Sequence, residues 1–440
     1  MTKLARRVLW QRTHYSTEIE PTLDGKTVVV LGLAASLRRQ GGLLFLVLQD
    51  KNGHVQVTLH KDRAPVALWE RLDRLEEQTF VAVRGTVKSI GKAPHGAEII
   101  PEEVEVLAEP SRRSPIDLFG KKLPSLEKRL DLRSVDLRRP VAQAIFRIRH
   151  SALQAARNFL VEEGFLEVHT PKIIASATEG GAALFPLLYY NQEAFLAQSP
   201  QLYKEQLAAA FEKVFEVGPI FRAEQFRTLR HLSESTSLDA EQSFVAYDEV
   251  MTLLERLVER VVQEVIAHRA DDLKTLGYAL EPPKMPLRRY TYDEALKLLE
   301  AEGVHVPWGE DLGTPALKAL GAVNPGFYFI QDWPAAVKAF YIQPMDDRPG
   351  LSESFDLMYG SLELSSGGTR VSSKRLLAKR LREKGLNPKA FDYHLRVFDY
   401  GMPPHAGFGL GVDRLIMALT GQENIREVVL FPRDQTRLTP

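Results

Sequence analysis

Five short runs between residues 27 and 108 constrain the fold of this chain more than any other feature. They read TVVVLGLAASL, LLFLVLQD, HVQVTLH, FVAVRGTVKSI and GAEIIPEEVEVLAE. Alternation with period two places one set of side chains on one face, and an apolar face must be covered. Turn residues punctuate the runs at Gly41-Gly42, Lys51-Asn52-Gly53 and Lys92-Ala93-Pro94-His95-Gly96. Between the third and fourth runs, APVALWERLDRL has helical spacing.

Five strands with a helix after the third is the order of an OB-fold, and it also suits other small closed barrels. OB-folds often bind single-stranded nucleic acid. Pro110, Pro115 and Pro124 with many charges then mark 109–136 as a linker. A helix begins near Pro140 and closes with ARNFLVEEGF, and VMTLLERLVERVVQEVIAHR (250–269) is a long amphipathic helix. Helices and strands mix from there to the end. The chain of 440 residues is thus expected to hold a domain at 1–108, the linker, and a larger α+β domain at 137–440.

Composition excludes several chemistries. There is no cysteine, so disulfides, thiolate zinc sites, iron–sulfur clusters and a cysteine nucleophile are ruled out. No apolar run reaches 18 residues, and MTKLARRVLW lacks an apolar stretch of signal length, so the expected location is the cytoplasm, with no membrane partner. The 57 basic and 57 acidic side chains balance, which argues against nonspecific coating of nucleic acid. Residues 1–140 nevertheless carry 24 basic against 18 acidic groups, and the remainder 33 against 39.

Three segments of the rear half carry candidate chemistry. GFLEVHTPKII (164–174) is a strand run ending on Pro171, which suits an edge or an interface. VFEVGPIFRAEQFRTLRHLSESTSLDAEQSFV (214–245) holds two strand runs around a loop with Arg222, Glu224, Arg227, Arg230 and His231. Guanidinium groups at a strand end suit phosphate, and a salt-bridged surface hairpin has the same composition. GFGLGVDRLIMALTG (407–421) places glycines before a helix with Arg414 in its first turn, and helix N-termini favour anions. Its spacing is not the dinucleotide fingerprint.

In this order, behind an OB-like domain, the three segments resemble motifs 1, 2 and 3 of class II aminoacyl-tRNA synthetases, in the subgroup for aspartate, asparagine and lysine. TEGGAALFP (178–186), QSPQLYK (198–204), SFDLMYGSLELSSGGTR (354–370), YGMPPHAGFGLG (400–411) and LFPRDQTRLTP (430–440) are similar to aspartyl-tRNA synthetases of the archaeal type. The resemblance covers nearly the whole chain after residue 27. It implies a class II synthetase fold, with an antiparallel sheet flanked by helices, behind an OB-fold anticodon-binding barrel. It also implies a homodimer built on motif 1, and two-step chemistry. Aspartate would attack the α-phosphorus of ATP, and the terminal ribose hydroxyl of tRNA would then take the aspartyl group. Such chemistry needs no protein nucleophile but must hold crowded anions.

Residue roles follow from the same resemblance. Arg222 is expected to bridge the α-phosphate and the aspartate carboxylate, and Arg414 to meet the γ-phosphate. Glu224, Arg230, His231, Leu232, Gly411 and Asp413 are expected around ATP. Glu363 and Ser366 match magnesium positions, where hard oxygen ligands suit the ion. Arg370 is expected to pair with the aspartate side chain, Gln201, Lys204 and Ser366 to complete that pocket, and Glu179 to hold the α-ammonium group. In the barrel, Arg38, Phe45 and Gln56 match positions that grip the anticodon, with Phe45 stacking on a base or else filling the barrel core.

The sequence departs from the family pattern at Gln225, Phe226, Ser235-Thr236-Ser237, Thr369 and Val371 to Lys374. These changes cluster around ATP and the amino-acid pocket. Two further departures lie in the barrel. Forms that accept only the aspartate tRNA carry Trp where this chain has Leu33 and Lys where it has Pro94. The aspartate and asparagine anticodons differ only at the third base, C against U. Loss of an indole and an ammonium removes groups that reject the wrong pyrimidine. The chain is therefore expected to charge tRNA(Asp) and also tRNA(Asn), the latter for a separate amidotransferase. The competing readings are an asparaginyl-tRNA synthetase, a paralogue that makes a free amide without tRNA, and a nucleic-acid-binding protein with an inactive synthetase domain.

Overall fold

The computed structural model describes residues 11–120, 122–175, 184–225 and 227–440. Contacts divide the chain into two units, residues 1–140 and 141–440.

The first unit is built on five strands: β1 (Thr27–Gln40), β2 (Leu43–Gln49), β3 (His54–His60), β4 (Phe80–Ser89) and β5 (Ala97–Ala108). They close into a barrel in the order β1-β2-β3-β5-β4. All pairings are antiparallel except β3 with β5. Alternation does the work the sequence suggests. On β2 and β3, Leu44, Leu46, Leu48, Val55, Val57 and Leu59 point inward and are buried, while Phe45, Val47, His54 and Gln56 lie on the other face. The helix Val66–Asp73 turns Leu68 and Leu72 into the same core.

Closure brings backbones very near each other at two glycines. A Cβ on Gly32 would overlap the Gln49 carbonyl, and one on Gly85 the Ile100 carbonyl, beside a register shift in the β4–β5 ladder.

The proline-rich stretch after β5 is mostly exposed but is pinned at two side chains. Ile116 and Leu118 are buried, and Leu118 clusters with Leu33 and Ala35. Further on, fully buried Asp136 takes Arg133 at 2.8 Å, Arg139 at 2.8 Å and Arg129 at 3.4 Å.

Among the described residues the second unit contains eleven further strands: β6 (Leu166–Glu167), β7 (Ile173–Ile174), β8 (Pro186–Tyr189), β9 (Gln192–Leu196), β10 (Lys213–Phe221), β11 (Glu234–Ser243), β12 (Arg288–Thr291), β13 (Phe327–Gln331), β14 (Ser354–Tyr359), β15 (Leu362–Thr369) and β16 (His405–Gly411). Among the described residues, eight form one sheet in the order β12-β13-β14-β15-β16-β11-β10-β6, and β7-β9-β8 form a small second sheet. The large sheet is antiparallel except at its two ends, where β12 joins β13 and β6 joins β10 in parallel. Three helices, Pro140–Glu162, Tyr247–His268 and Val412–Thr420, share one core with Phe215, Leu238, Phe355 and Phe408 of the strands. In Tyr247–His268 the buried residues Val250, Leu254, Leu257, Val258, Val261 and Val265 follow helical spacing. The strand run before Pro171 does lie at a sheet edge, because among the described residues β6 pairs only with β10. No helix among the described residues is long and apolar enough to cross a membrane.

The close approach at the barrel seam predicts that Gly32→Ala and Gly85→Ala each destabilise the protein by about 1–3 kcal/mol, because the neighbour is backbone and cannot rotate away. Urea unfolding monitors this as a lowered midpoint at unchanged slope.

Candidate active site

A cavity of about 210 Å³ opens in the second unit, lined from β10, β11, β15 and β16 and from the loops at their ends. Phe221 pairs with Glu234 at the end of the β10–β11 ladder, and the Arg222 amide donates to the Ser233 carbonyl at 2.9 Å. The hairpin loop between them therefore hangs over the cavity. On the other side β16 runs between β15 and β11 and ends at Gly411, where the helix carrying Arg414 starts.

At one end of the cavity guanidinium groups crowd together. Arg414 Nη1 donates to the Glu363 carbonyl at 2.9 Å and Nη2 lies 3.1 Å from His231 Nε2. Arg230 donates to the Ser361 carbonyl at 2.7 Å and to its hydroxyl at 2.8 Å. Burial, with Arg414 adding to it, holds the His231 imidazole below its ordinary value against Glu224 and Glu363. A neutral ring can accept from Arg414 through Nε2 while its Nδ1–H donates to Thr228 Oγ1 at 2.6 Å. Burial and Arg414 also lower the Arg230 guanidinium. Glu224 Oε2 is buried with no hydrogen-bond partner among the described residues, 4.0 Å from His231. Positive charge at this density is suited to a polyanion.

At the other end lies a layer of buried ions. Arg370 donates to both oxygens of Glu241, at 2.9 and 3.2 Å. Lys204 sits 3.1 Å from Asp239 and 3.4 Å from Glu241. All four side chains are almost fully buried. A Cβ on Gly407 would overlap the Glu241 carboxylate, so glycine there makes its room. Beneath, Gln201 Nε2 donates to Glu205 at 2.7 Å, which leaves Gln201 Oε1 to accept from the cavity. Glu205 in turn lies 3.1 Å from His394 and 3.7 Å from His405. Burial alone would raise Glu205, yet the two imidazoles carry it well below the usual carboxylate range. Burial would lower His405, and Glu205 with Glu241 lifts it above its ordinary value.

A third feature is a pair of carboxylates. Asp356 is opposite Ser366 in the β14–β15 ladder and is held by Lys338 at 2.7 Å. Burial pushes Asp356 up to about 6, and Glu363 pushes the same way against Lys338. The described residues contain no cluster of three or more metal-ligating His, Asp or Glu. Two repelling carboxylates and a hydroxyl still fit magnesium, which takes one or two carboxylates and completes its shell with water and phosphate.

A sequence model for class II tRNA synthetases of the D, K and N group matches residues 125–435, and one for OB-fold nucleic-acid-binding domains matches 28–107. The chain belongs to the class II tRNA synthetases. An aspartate–tRNA(Asp/Asn) ligase of Archaeoglobus fulgidus is 50% identical over 97% of this chain and 99% of that protein. An aspartate–tRNA(Asp) ligase of Pyrococcus abyssi is 48% identical, covering 98% and 100%. Among solved structures, an asparaginyl-tRNA synthetase from Pyrococcus horikoshii complexed with asparaginyl-adenylate superposes with a TM-score of 0.93 at 35% identity, covering 98% of this chain and 100% of that one.

In this synthetase the structure brings Gln201, Arg222, Glu224, Arg230, His231, Leu232, Glu363, Ser366, Arg370, Gly411, Asp413 and Arg414 to one cavity wall. Lys204 does not reach the wall and acts on it through Asp239, which does, and through Glu241, which holds Arg370. Both Asp413 oxygens are engaged, by Arg149 at 2.6 Å and by the Thr236 amide at 2.9 Å, so this carboxylate anchors the helix start. Glu179 lies outside the described residues, as does Phe226. In the barrel, Arg38 pairs with Phe45 and Val47 with Gln56 on one outward face, so Phe45 is not core. Leu33 does not face solvent: it is 4% exposed, beneath Leu118. Pro94 is half-buried and opens the turn before His95.

Sequence reasoning missed Asp239, Glu241, Glu205, Asp356, Lys338 and Glu98. Asp239 and Glu241 stand two apart on β11, the spacing that puts both on one face, and Asp356 interrupts an apolar strand. Glu98 accepts from Gln56 Nε2 at 2.8 Å and has no such signal.

The Glu205 cluster gives a pH prediction. A histidine raised in the folded state contributes fully below about pH 6.5 and loses that contribution as pH rises through its raised value. The stability deficit of Glu205→Gln is therefore expected to be largest near pH 6 and to shrink toward pH 9 in denaturant titrations. A deficit that is flat or grows over that range contradicts the assignment.

Proposed function

We propose that the protein attaches L-aspartate to tRNA(Asp) and to tRNA(Asn) through an aspartyl-adenylate. The observation that carries this reading is the meeting of Arg222, Arg230, Arg370 and Arg414 on one small cavity above the buried layer of Lys204, Asp239 and Glu241. An α-carboxylate oxygen of aspartate attacks the α-phosphorus of ATP, the bond to pyrophosphate breaks, and pyrophosphate leaves. The terminal ribose hydroxyl of tRNA then attacks the aspartyl carbonyl, AMP departs with the bonding pair, and the hydroxyl proton passes to the departing phosphate or to solvent.

The chain's part is to hold anions in register. Arg222 spans the two reacting groups. Glu224, Arg230 and neutral His231 fix the nucleotide, with Arg414 at its γ-phosphate. Glu363 and Ser366, with Asp356 beside them, would hold magnesium, which when bound neutralises triphosphate charge. Arg370 keeps donors beyond those given to Glu241 and offers them to the substrate's side-chain carboxylate. Gln201 Oε1 accepts from the α-ammonium group, alongside Glu179.

Acceptance of tRNA(Asn) is supported by Pro94 and by relatives named for both tRNAs, such as the one from Methanothermobacter thermautotrophicus at 48% identity, whereas buried Leu33 does not bear on it directly. Identity does not separate these from relatives named for tRNA(Asp) alone, since one of those also stands at 48%. A product on tRNA(Asn) requires an amidotransferase downstream. The homodimer is supported by exposed apolar groups around motif 1: Val161 at 59%, Leu166 at 48% and Ile173 at 48%.

Charging of the two purified transcripts tests the reading. Comparable kcat/KM on both is expected, and a hundredfold preference for tRNA(Asp) sinks dual acceptance. ATP–pyrophosphate exchange is expected with aspartate and not with asparagine, and the reverse would make the protein an asparaginyl enzyme. Arg222→Ala and Arg414→Ala are each expected to slow exchange by at least about 100-fold while the unfolding midpoint moves little.

A further inference from the structure

The helix Gln201–Phe211 opens at the amino-acid end of the cavity. Gln201 lines the cavity, while Glu205, one helical turn on, stands behind it and is 1% exposed. An ionised carboxylate in such a place costs free energy that an apolar side chain of similar volume would not. Filling space therefore does not account for it.

Donors converge on Glu205 from two sides. From the cavity side Gln201 Nε2 donates to Oε1 at 2.7 Å. From behind, His394 Nε2 lies 3.1 Å and His405 Nε2 3.7 Å from Oε2. The other nitrogen of each ring settles where its proton sits. Gln206 Nε2 can only donate and lies 3.2 Å from His394 Nδ1, so that nitrogen accepts and the ring proton is on Nε2, toward Glu205. His405 Nδ1 donates to the Pro403 carbonyl at 2.8 Å, so its Nε2 faces Glu205 as a donor in the cationic ring. Burial opposes that cation, yet Glu205 with Glu241 lifts His405 above its ordinary value.

We propose that Glu205 is a positioning residue for the substrate's α-ammonium group: it accepts from both sides and so holds the Gln201 amide with Nε2 inward and Oε1 toward the cavity. This rests on the reading of Gln201 as an acceptor for that group. An amide at position 205 would have one accepting end and one donating end. With its donor toward the imidazoles it would meet the His394 N–H. With its donor toward Gln201 it would turn the Gln201 amide over and aim an NH2 group at the ammonium. A carboxylate accepts in both directions and avoids either conflict. The same cluster supports the other end of the amino-acid pocket through the backbone, because the Arg370 amide donates to the His405 carbonyl at 2.9 Å.

Aspartate-dependent ATP–pyrophosphate exchange tests the proposal, with succinate as a competitive inhibitor that lacks the ammonium group. Glu205→Gln is expected to raise the KM for aspartate by about tenfold or more. In the same variant kcat and the succinate inhibition constant are expected to stay within about twofold of wild type. The ratio of the two constants does not depend on how much of the enzyme is folded, so a stability deficit leaves the comparison intact. Glu205→Asp keeps an acceptor on both sides and is expected to hold this ratio nearer wild type than Glu205→Gln does. Gln201→Met removes the amide and is expected to match Glu205→Gln, with the double variant no worse than the worse single one. An unchanged aspartate KM in Glu205→Gln, equal losses for aspartate and succinate, or losses that multiply in the double variant would overturn the role of Glu205 and leave that of Gln201 standing. An unchanged aspartate KM in Gln201→Met removes Gln201 from the ammonium site, and the proposal with it, while aspartate activation itself stands.

Discussion

Glu241 is fully buried, and Arg370 and Lys204 are both held on its carboxylate. The amino-acid end of the cavity depends on this contact. An isolated carboxylate in that position would be protonated, and either cation without it would be driven toward solvent. Losing one member of such a set typically costs about 3–5 kcal/mol, because the others are left buried and unmatched. The arrangement also limits recognition. Arg370 spends its Nε and part of Nη2 on Glu241, so what it offers a substrate is a fixed remainder of its fork rather than a mobile charge. Pre-set donors of this kind recognise a planar carboxylate with little reorganisation.

The nucleotide end works on the opposite principle. There the cations outnumber close acidic partners, and the fold supports them through carbonyls and a neutral imidazole. Arg230 rests on Ser361 and Arg414 on the Glu363 carbonyl and His231. Carbonyls orient a guanidinium without cancelling its charge, so the field remains available to a phosphate chain. Asp413 illustrates the contrast: its charge is consumed by Arg149 and by a backbone amide, and it fixes the start of the helix that carries Arg414. The ladder β11-β16-β15 ties both ends together, since Glu241, Gly407 and Gly368 are neighbours across it.

Much of the fold was legible because alternation and turn chemistry are local. The five barrel runs, the helix after the third, the long helix near 250–269 and the glycine-rich strand before Arg414 all follow from side-chain period and backbone preference. The buried ions were not legible. Asp239, Glu241 and Glu205 read as ordinary polar residues of a strand and a helix, and only the facing cations make them part of a site. Leu33 shows the same limit, because its burial comes from Leu118, 85 positions along the chain.

The sequence by itself determined the family, the succession of barrel and α+β unit, and the arginines that converge on the cavity, since these follow from local patterns in fixed order. The tertiary structure alone decided how those charges are balanced. It set which guanidinium groups rest on carbonyls and which on carboxylates, that Lys204 stands behind the wall, and that Glu205, His394 and His405 meet. Each of these depends on contacts between distant segments, and electrostatic energy is governed by distance in space and by burial, neither of which is written in residue order.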